Sequence, residues 1–72
     1  MDVEAAFRRK LRALVIEKHG SLDRFYLETG FSKGHLAQII RGDRSPSIST
    51  VAKLARLLEV DLVLEFRPPR IR

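Results

Sequence analysis

Apolar residues recur at helical spacing through most of the chain, and the period changes near residue 60. In residues 2–19 the apolar positions fall three or four residues apart, which predicts an amphipathic first helix. Lys18 and His19 lie in its last turn and Gly20 follows, and a basic last turn before a glycine is typical of a helix C-terminus. The predicted inward stripe of this helix is Val3, Phe7, Leu11, Leu14 and Val15.

Two short helical patterns joined by a tight turn occupy residues 21–42. Each begins behind a serine that can cap a helix N-terminus, and a glycine ends the second pattern. We predict helices over 22–28 and 33–41, with residues 29–31 as the turn. The caps are Ser21 and Ser32, the glycine is Gly42, and the predicted inward residues are Leu22, Phe25, Tyr26, Leu36, Ile39 and Ile40.

The turn itself predicts how the two helices meet. Gly30 can adopt positive φ without the steric cost that a Cβ would bring, and Phe31 can fill the space between the helices. Two helices joined in this way form a helix-turn-helix, in which the second helix enters the DNA major groove.

The rest of the chain predicts one more helix and then a strand. A polar loop over 43–47 leads to a helix that we expect to run from a Ser47 cap to about Glu59. Its predicted inward residues are Ile48, Val51, Leu54, Ala55 and Leu58. The alternation over 60–67 predicts a half-buried strand with Val60, Leu62, Leu64 and Phe66 on one side, followed by a basic tail to residue 72.

Composition narrows the class of partner. The 72 residues suit a single domain over 1–72, and 14 Lys and Arg against 9 Asp and Glu give a net charge of +5, which favours a polyanion. The chain has no cysteine for disulfides or zinc, and no apolar run long enough for a membrane span. Charges near the N-terminus argue against a signal peptide, so we expect a cytoplasmic protein that binds no membrane.

Catalytic chemistry is not indicated. The two histidines, His19 and His35, have no third ligand type beside them, and neither a Ser/His/Asp set nor a glycine-rich phosphate loop stands out. We therefore expect no enzyme activity, no catalytic residue, no metal and no cofactor.

The second helix of the pair has polar residues suited to DNA at its N-terminal end. Lys33, Gly34, His35 and Gln38 are left for the outward face; Gln can pair with adenine and Lys with guanine. The alternative is an ordinary solvated helix face. Candidate phosphate contacts at the helix starts and in the following loop are Ser21, Ser32, Arg44, Ser47 and Ser49, although a capping serine is structural first.

The pattern resembles the lambda-repressor-like, or Cro/C1-type (XRE), helix-turn-helix domains over about residues 3–60 without a gap. The residues that carry the resemblance are Ser21, Phe25, Gly30, Phe31, Ser32, Leu36, Ile39, Arg41-Gly42 and Pro46-Ser47. It implies base contacts from Lys33, Gly34, His35 and Gln38, and backbone contacts from Arg44 and the serines. The chain departs from the family pattern at Leu22, Tyr26 and Ile40, where Gln, a small residue and an acidic residue are common.

The expected fold is mainly α: a compact four-helix lambda-repressor-like helix-turn-helix domain with a C-terminal β-strand. A lone strand would leave its backbone groups unpaired, so we expect it to pair across a homodimer through Leu62, Leu64 and Phe66. The resemblance points the same way, because a subset of the family that includes antitoxins pairs such strands.

Three functions follow in order of preference. The first is a sequence-specific transcriptional regulator, a repressor, that binds double-stranded DNA as a homodimer. The second is an antitoxin-type interaction module that masks a toxin protein and also controls its own operon. The third, RNA or nonspecific architectural binding, is disfavoured because few aromatic residues are present to stack on bases.

Overall fold

Four α-helices make up most of the chain that the structure describes. The computed structural model describes residues 3–63. The helices are α1 (Val3–His19), α2 (Leu22–Thr29), α3 (Lys33–Arg41) and α4 (Ile48–Leu57). The predicted four-helix, mainly α architecture is confirmed, and the predicted bounds of α3 agree with the observed ones. Within this part, none of the helices has the length and apolar character needed to cross a bilayer.

One apolar cluster holds the four helices together. Helices α1, α2 and α3 pack against one another in pairs, and Leu54 of α4 and its C-cap residue Leu58 join the same cluster. The buried members are Leu11, Val15, Phe25, Phe31, Leu36, Ile39, Leu54 and Leu58. Full burial of each such side chain contributes about 1.5–3 kcal/mol before the loss of chain entropy is counted. The inner face of α3 is therefore fixed by the core.

Three residues predicted to face inward are exposed instead. Val3 is 73% exposed, Tyr26 47% and Ile48 70%. Val3 and Ile48 are the first residues of their helices, so they extend past the end of the core. Tyr26 follows the buried Phe25 in α2, and one residue of helix turns the side chain by about 100° away from it.

Serine caps begin the three short helices as predicted. Each cap hydroxyl accepts a hydrogen bond from the backbone N–H three residues later, which satisfies a donor that has no partner inside the helix. The pairs are Ser21 with Arg24 at 3.1 Å, Ser32 with His35 at 3.2 Å and Ser47 with Thr50 at 3.2 Å. These caps fix where α2, α3 and α4 start.

The turn between α2 and α3 has the predicted conformation. Gly30 has φ of +79°, in the left-handed region, and its N–H donates to the carbonyl of Tyr26 at 2.7 Å. The Thr29 hydroxyl donates to the carbonyl of Phe25 and accepts from the N–H of Phe31. Phe31 is buried directly after this turn, as predicted, so the chain enters α3 at a defined angle.

Helix α4 is shorter than predicted and ends without a glycine. It stops at Leu57, and Glu59 takes a left-handed φ of +58°. The N–H of Val60 donates to the carbonyl of Ala55 at 3.0 Å. This bond gives a partner to a carbonyl in the last turn of α4, which the helix itself leaves unpaired. Val60 then packs against the core. This burial sets the helix end, although a carboxylate residue is poorly suited to that backbone.

The predicted strand is absent where the structure can be compared with it. Residues 60–63 form no strand, and the remainder of the predicted strand, residues 64–67, lies outside the described residues. Val60 and Leu62 instead line an open apolar groove of about 400 Å³ with Phe7 and Leu14 of α1. Val60 packs against the core, and the pairing of residues 60–67 with a second copy stays a prediction.

Replacing the strained residue at the end of α4 is expected to stabilise the protein. Glu59→Gly should raise the free energy of unfolding by about 1 kcal/mol, because glycine adopts positive φ without a steric cost. Denaturant titration followed by circular dichroism measures the change. Ala13→Gly, on the exposed side of α1, is the control and should lower the free energy by about 1 kcal/mol. A loss of stability in Glu59→Gly would contradict this explanation of the helix end.

Candidate nucleic-acid interface

Helix α3 is anchored on one side and open on the other. Leu36 and Ile39 are fully buried against the rest of the core. Because successive helical residues turn by about 100°, positions 34, 38 and 41 share the opposite side of the helix. Gly34, Gln38 and Arg41 are all exposed there. The core therefore fixes the direction in which Gln38 and the bare backbone at Gly34 face the solvent.

Lys33 lies at the edge of this open side and is held by a residue that the sequence did not single out. Its ammonium nitrogen is 2.5 Å from a carboxylate oxygen of Asp23, in the first turn of α2. The side chains are 55% and 69% exposed. The sequence pattern could not reveal this pair, because Asp23 and Lys33 belong to different helices whose packing brings them together.

His35 lies at the other edge of the open side and is less free than expected. It is half-buried, and its ring stacks on Phe31 with 5.4 Å between centroids and 19° between planes. Phe31 in turn packs against Phe25, with 6.1 Å between centroids. The imidazole is thus held in one orientation, and part of its surface is covered.

Lys53 of α4 also approaches the start of α3. Its ammonium nitrogen is 5.8 Å from the centroid of the Phe31 ring, within the range of a cation–π contact. Sequence reasoning missed Lys53, since an isolated lysine on the polar side of a helix is typical of a solvated face. Its position adds a positive charge near the first turn of α3.

The serine candidates lie at helix starts, where backbone N–H groups and the helix dipole favour an anion. Ser32 is exposed, whereas Ser21 is half-buried. At the start of α4, the Ser47 hydroxyl lies 3.1 Å from that of Ser49 and 3.0 Å from that of Thr50. The hydroxyls of Ser47 and Ser49 are therefore grouped at one helix end, and Ser32 lies at another.

The loop that carries Arg44 is attached to α1. Ser45 donates a hydrogen bond to the carboxylate of Glu4 at 3.2 Å. At the C-terminal end of α3, the guanidinium of Arg8 lies against Gly42, where an added Cβ would be only 3.1 Å from Cζ. Arg44 itself is exposed. The Ser45–Glu4 contact holds the loop after α3 against α1, and the Arg8 side chain lies close to the end of α3.

His19 has a structural role away from this surface. Its Nδ1 lies 2.6 Å from a carboxylate oxygen of Glu28, and its ring meets Phe25 edge-on with 4.9 Å between centroids. Only 14% of the His19 side chain is exposed. The contact ties the end of α1 to the end of α2.

Comparison with protein families agrees with this geometry. A family model described as helix-turn-helix, of the Cro/C1 type, matches residues 11–64, which is most of the chain. The chain belongs to the Cro/C1-type helix-turn-helix (XRE) family. Members of this family are DNA-binding domains of transcription regulators and are generally non-enzymatic. No curated protein and no solved structure gave a significant match.

Two substitutions of Ser32 test whether its hydroxyl stabilises α3 as a cap. Ser32→Ala should lower the free energy of unfolding by about 1 kcal/mol, because the N–H of His35 loses its acceptor. Ser32→Asp should keep wild-type stability, since aspartate caps as well as serine and suits the helix dipole. Thermal unfolding of both variants measures the difference. Equal losses in the two would contradict a capping role for Ser32.

Proposed function

We propose that this helix-turn-helix protein is a sequence-specific transcriptional repressor that reads the DNA major groove with α3 as a homodimer. In this proposal residues 1–72 act as a single DNA-binding domain in the cytoplasm. The observation that carries it is the anchoring of α3 through Leu36 and Ile39, with Gln38 facing the solvent. A rigid helix with an open polar side near its N-terminus is what major-groove reading requires.

Base reading is assigned to the first half of α3. The Gln38 amide can form two hydrogen bonds with adenine, and the Lys33 ammonium can donate to guanine O6 and N7. Gly34 lets the helix backbone approach the groove closely because it carries no side chain. The His35 ring, held by Phe31, contributes its accessible edge.

Phosphate binding is assigned to the helix starts and the loop after α3. Backbone N–H groups at a helix N-terminus and nearby hydroxyls bind phosphate and fix the register of the protein on DNA. The residues proposed for this role are Ser21, Ser32, Arg44, Ser47 and Ser49. The net charge of +5 adds a long-range attraction.

Selection of bound duplexes from a random pool, followed by titration of one variant, tests the proposal. Wild-type protein should bind the selected duplex more tightly than a scrambled one, with affinity that falls steeply as salt rises. Gln38→Ala should weaken binding to the selected duplex by about 1–3 kcal/mol and leave the scrambled duplex nearly unaffected. Equal wild-type affinity for both duplexes at physiological salt would defeat the proposal.

The homodimer is proposed from apolar surface at the end of the described chain. Leu62 is 38% exposed and Val63 is 75% exposed, beside the groove between α1 and α4. Leu64 and Phe66, the other predicted interface residues, lie outside the described residues. A second copy covering this surface would remove it from water and set the distance between two α3 helices. Half-sites would then lie about 34 Å apart, one turn of DNA.

Charged substitutions in the last apolar positions test the dimer. The double variant Leu64→Glu/Phe66→Glu should be monomeric in light scattering, since burying unpaired carboxylates at an interface is strongly unfavourable. Leu27→Glu, at a position of α2 that is 73% exposed, is the control and should remain dimeric. A dimer in both variants would place the interface elsewhere, and a monomeric wild-type protein would exclude the homodimer.

The same apolar groove also favours one other function, an antitoxin that masks a toxin protein. The groove near Val51 and Leu62 offers apolar surface that a different protein could cover as well as a second copy. A stable complex with the product of a neighbouring gene would favour this function. DNA selection and co-purification together distinguish an antitoxin that binds its operator from a dedicated repressor.

A further inference from the structure

An acidic residue interrupts the positive surface at the start of α3. Asp23 lies in the first turn of α2, and its carboxylate contacts the ammonium of Lys33 at 2.5 Å. Lys33 is the first residue of α3, directly after the Ser32 cap. The contact therefore joins the N-terminal ends of the two helices of the helix-turn-helix, beside the surface proposed for base reading.

The pair does not serve mainly to stabilise the fold. Both side chains are more than half exposed, and exposed ion pairs of this kind add little to stability. Lys33 is not a member of the buried core, whose α3 residues, Leu36 and Ile39, lie on the other side of the helix. The main consequence of the contact is electrostatic: it engages one cation and places one negative charge where DNA phosphates would approach.

We propose that Asp23 is a specificity-determining residue, which restrains Lys33 and so weakens binding to DNA of arbitrary sequence. The proposal rests on the DNA-binding function assigned to α3. Nonspecific affinity comes from phosphate neutralisation by cations. A lysine that is already paired with a carboxylate gains less from a phosphate, and the same carboxylate repels that phosphate.

A DNA site with a guanine opposite Lys33 offsets this loss of affinity. Guanine presents two acceptors, O6 and N7, at fixed positions in the major groove, and Lys33 can donate to them while Asp23 keeps its ammonium oriented. An ammonium group has three donors, so one can remain with Asp23. Asp23 thus lowers the affinity that comes from phosphate contacts more than the affinity that comes from base contacts. Its loss should raise affinity for all DNA but reduce discrimination.

The test measures binding of selected and scrambled duplexes across a range of salt concentrations. Asp23→Asn should bind the scrambled duplex about two- to fivefold more tightly than wild type, with a smaller gain on the selected duplex. The dependence of affinity on salt should steepen by about 0.9 in log–log slope, as expected for one more phosphate neutralised. Glu17→Gln, an exposed position on α1, makes the same charge change away from α3 and is the matched control.

A second substitution shows whether Asp23 acts through Lys33. In the Lys33→Ala background, Asp23→Asn should lose most of its effect on the scrambled duplex. An effect of the same size in both backgrounds, or equal to that of Glu17→Gln, would overturn the inference and leave only the general effect of net charge. Failure of the wild-type protein to discriminate between the duplexes would instead count against the proposed function itself. Circular dichroism of each variant confirms that the fold is retained.

Discussion

Burial of Phe31 between α2 and α3 is the interaction on which the rest of the structure depends. The ring follows the Gly30 turn directly and packs against Phe25 on one helix and His35 on the next. Leu36 and Ile39 continue the same buried side along α3. Loss of Phe31 would leave the serine caps in place but remove the ring that contacts both Phe25 and His35. A helix of nine residues is marginal alone, so tertiary packing is what makes α3 rigid.

Polar side-chain contacts around that core join neighbouring helices and loops. His19 meets Glu28 where α1 and α2 end, and Ser45 meets Glu4 where the loop after α3 passes α1. Each is a modest interaction in water, and the Ser45–Glu4 contact joins segments 41 residues apart. The Ser45–Glu4 contact holds the loop that carries Arg44 against α1, and the serine caps begin α3 and α4 beside the open side of α3. The surface is thus assembled from several elements, although a single helix carries the candidate base contacts.

The surface around α3 carries both positive and negative side chains. Lys33 and Arg41 lie at opposite ends of α3, and each contacts an aspartate, Asp23 or Asp43. In the proposed function, such pairing reduces indiscriminate attraction to phosphate while keeping the donors of α3 available for bases. Affinity for DNA in general and discrimination among sequences are therefore different properties of the same few residues.

Local sequence signals by themselves determined the helices, their serine caps, the Gly30 turn and the buried side of α3, because each depends on residues within about one helical turn. They also carried the family resemblance, which the match over residues 11–64 confirmed. Only the tertiary structure decided the Asp23–Lys33 pair and the approach of Lys53 to Phe31, since these partners belong to different parts of the fold. It also showed that the His35 ring stacks on Phe31, four residues earlier. It also decided the end of α4 and the course of residues 60–63. There Val60 packs against the core directly after Glu59, which has a left-handed φ, and residues 60–63 form no strand.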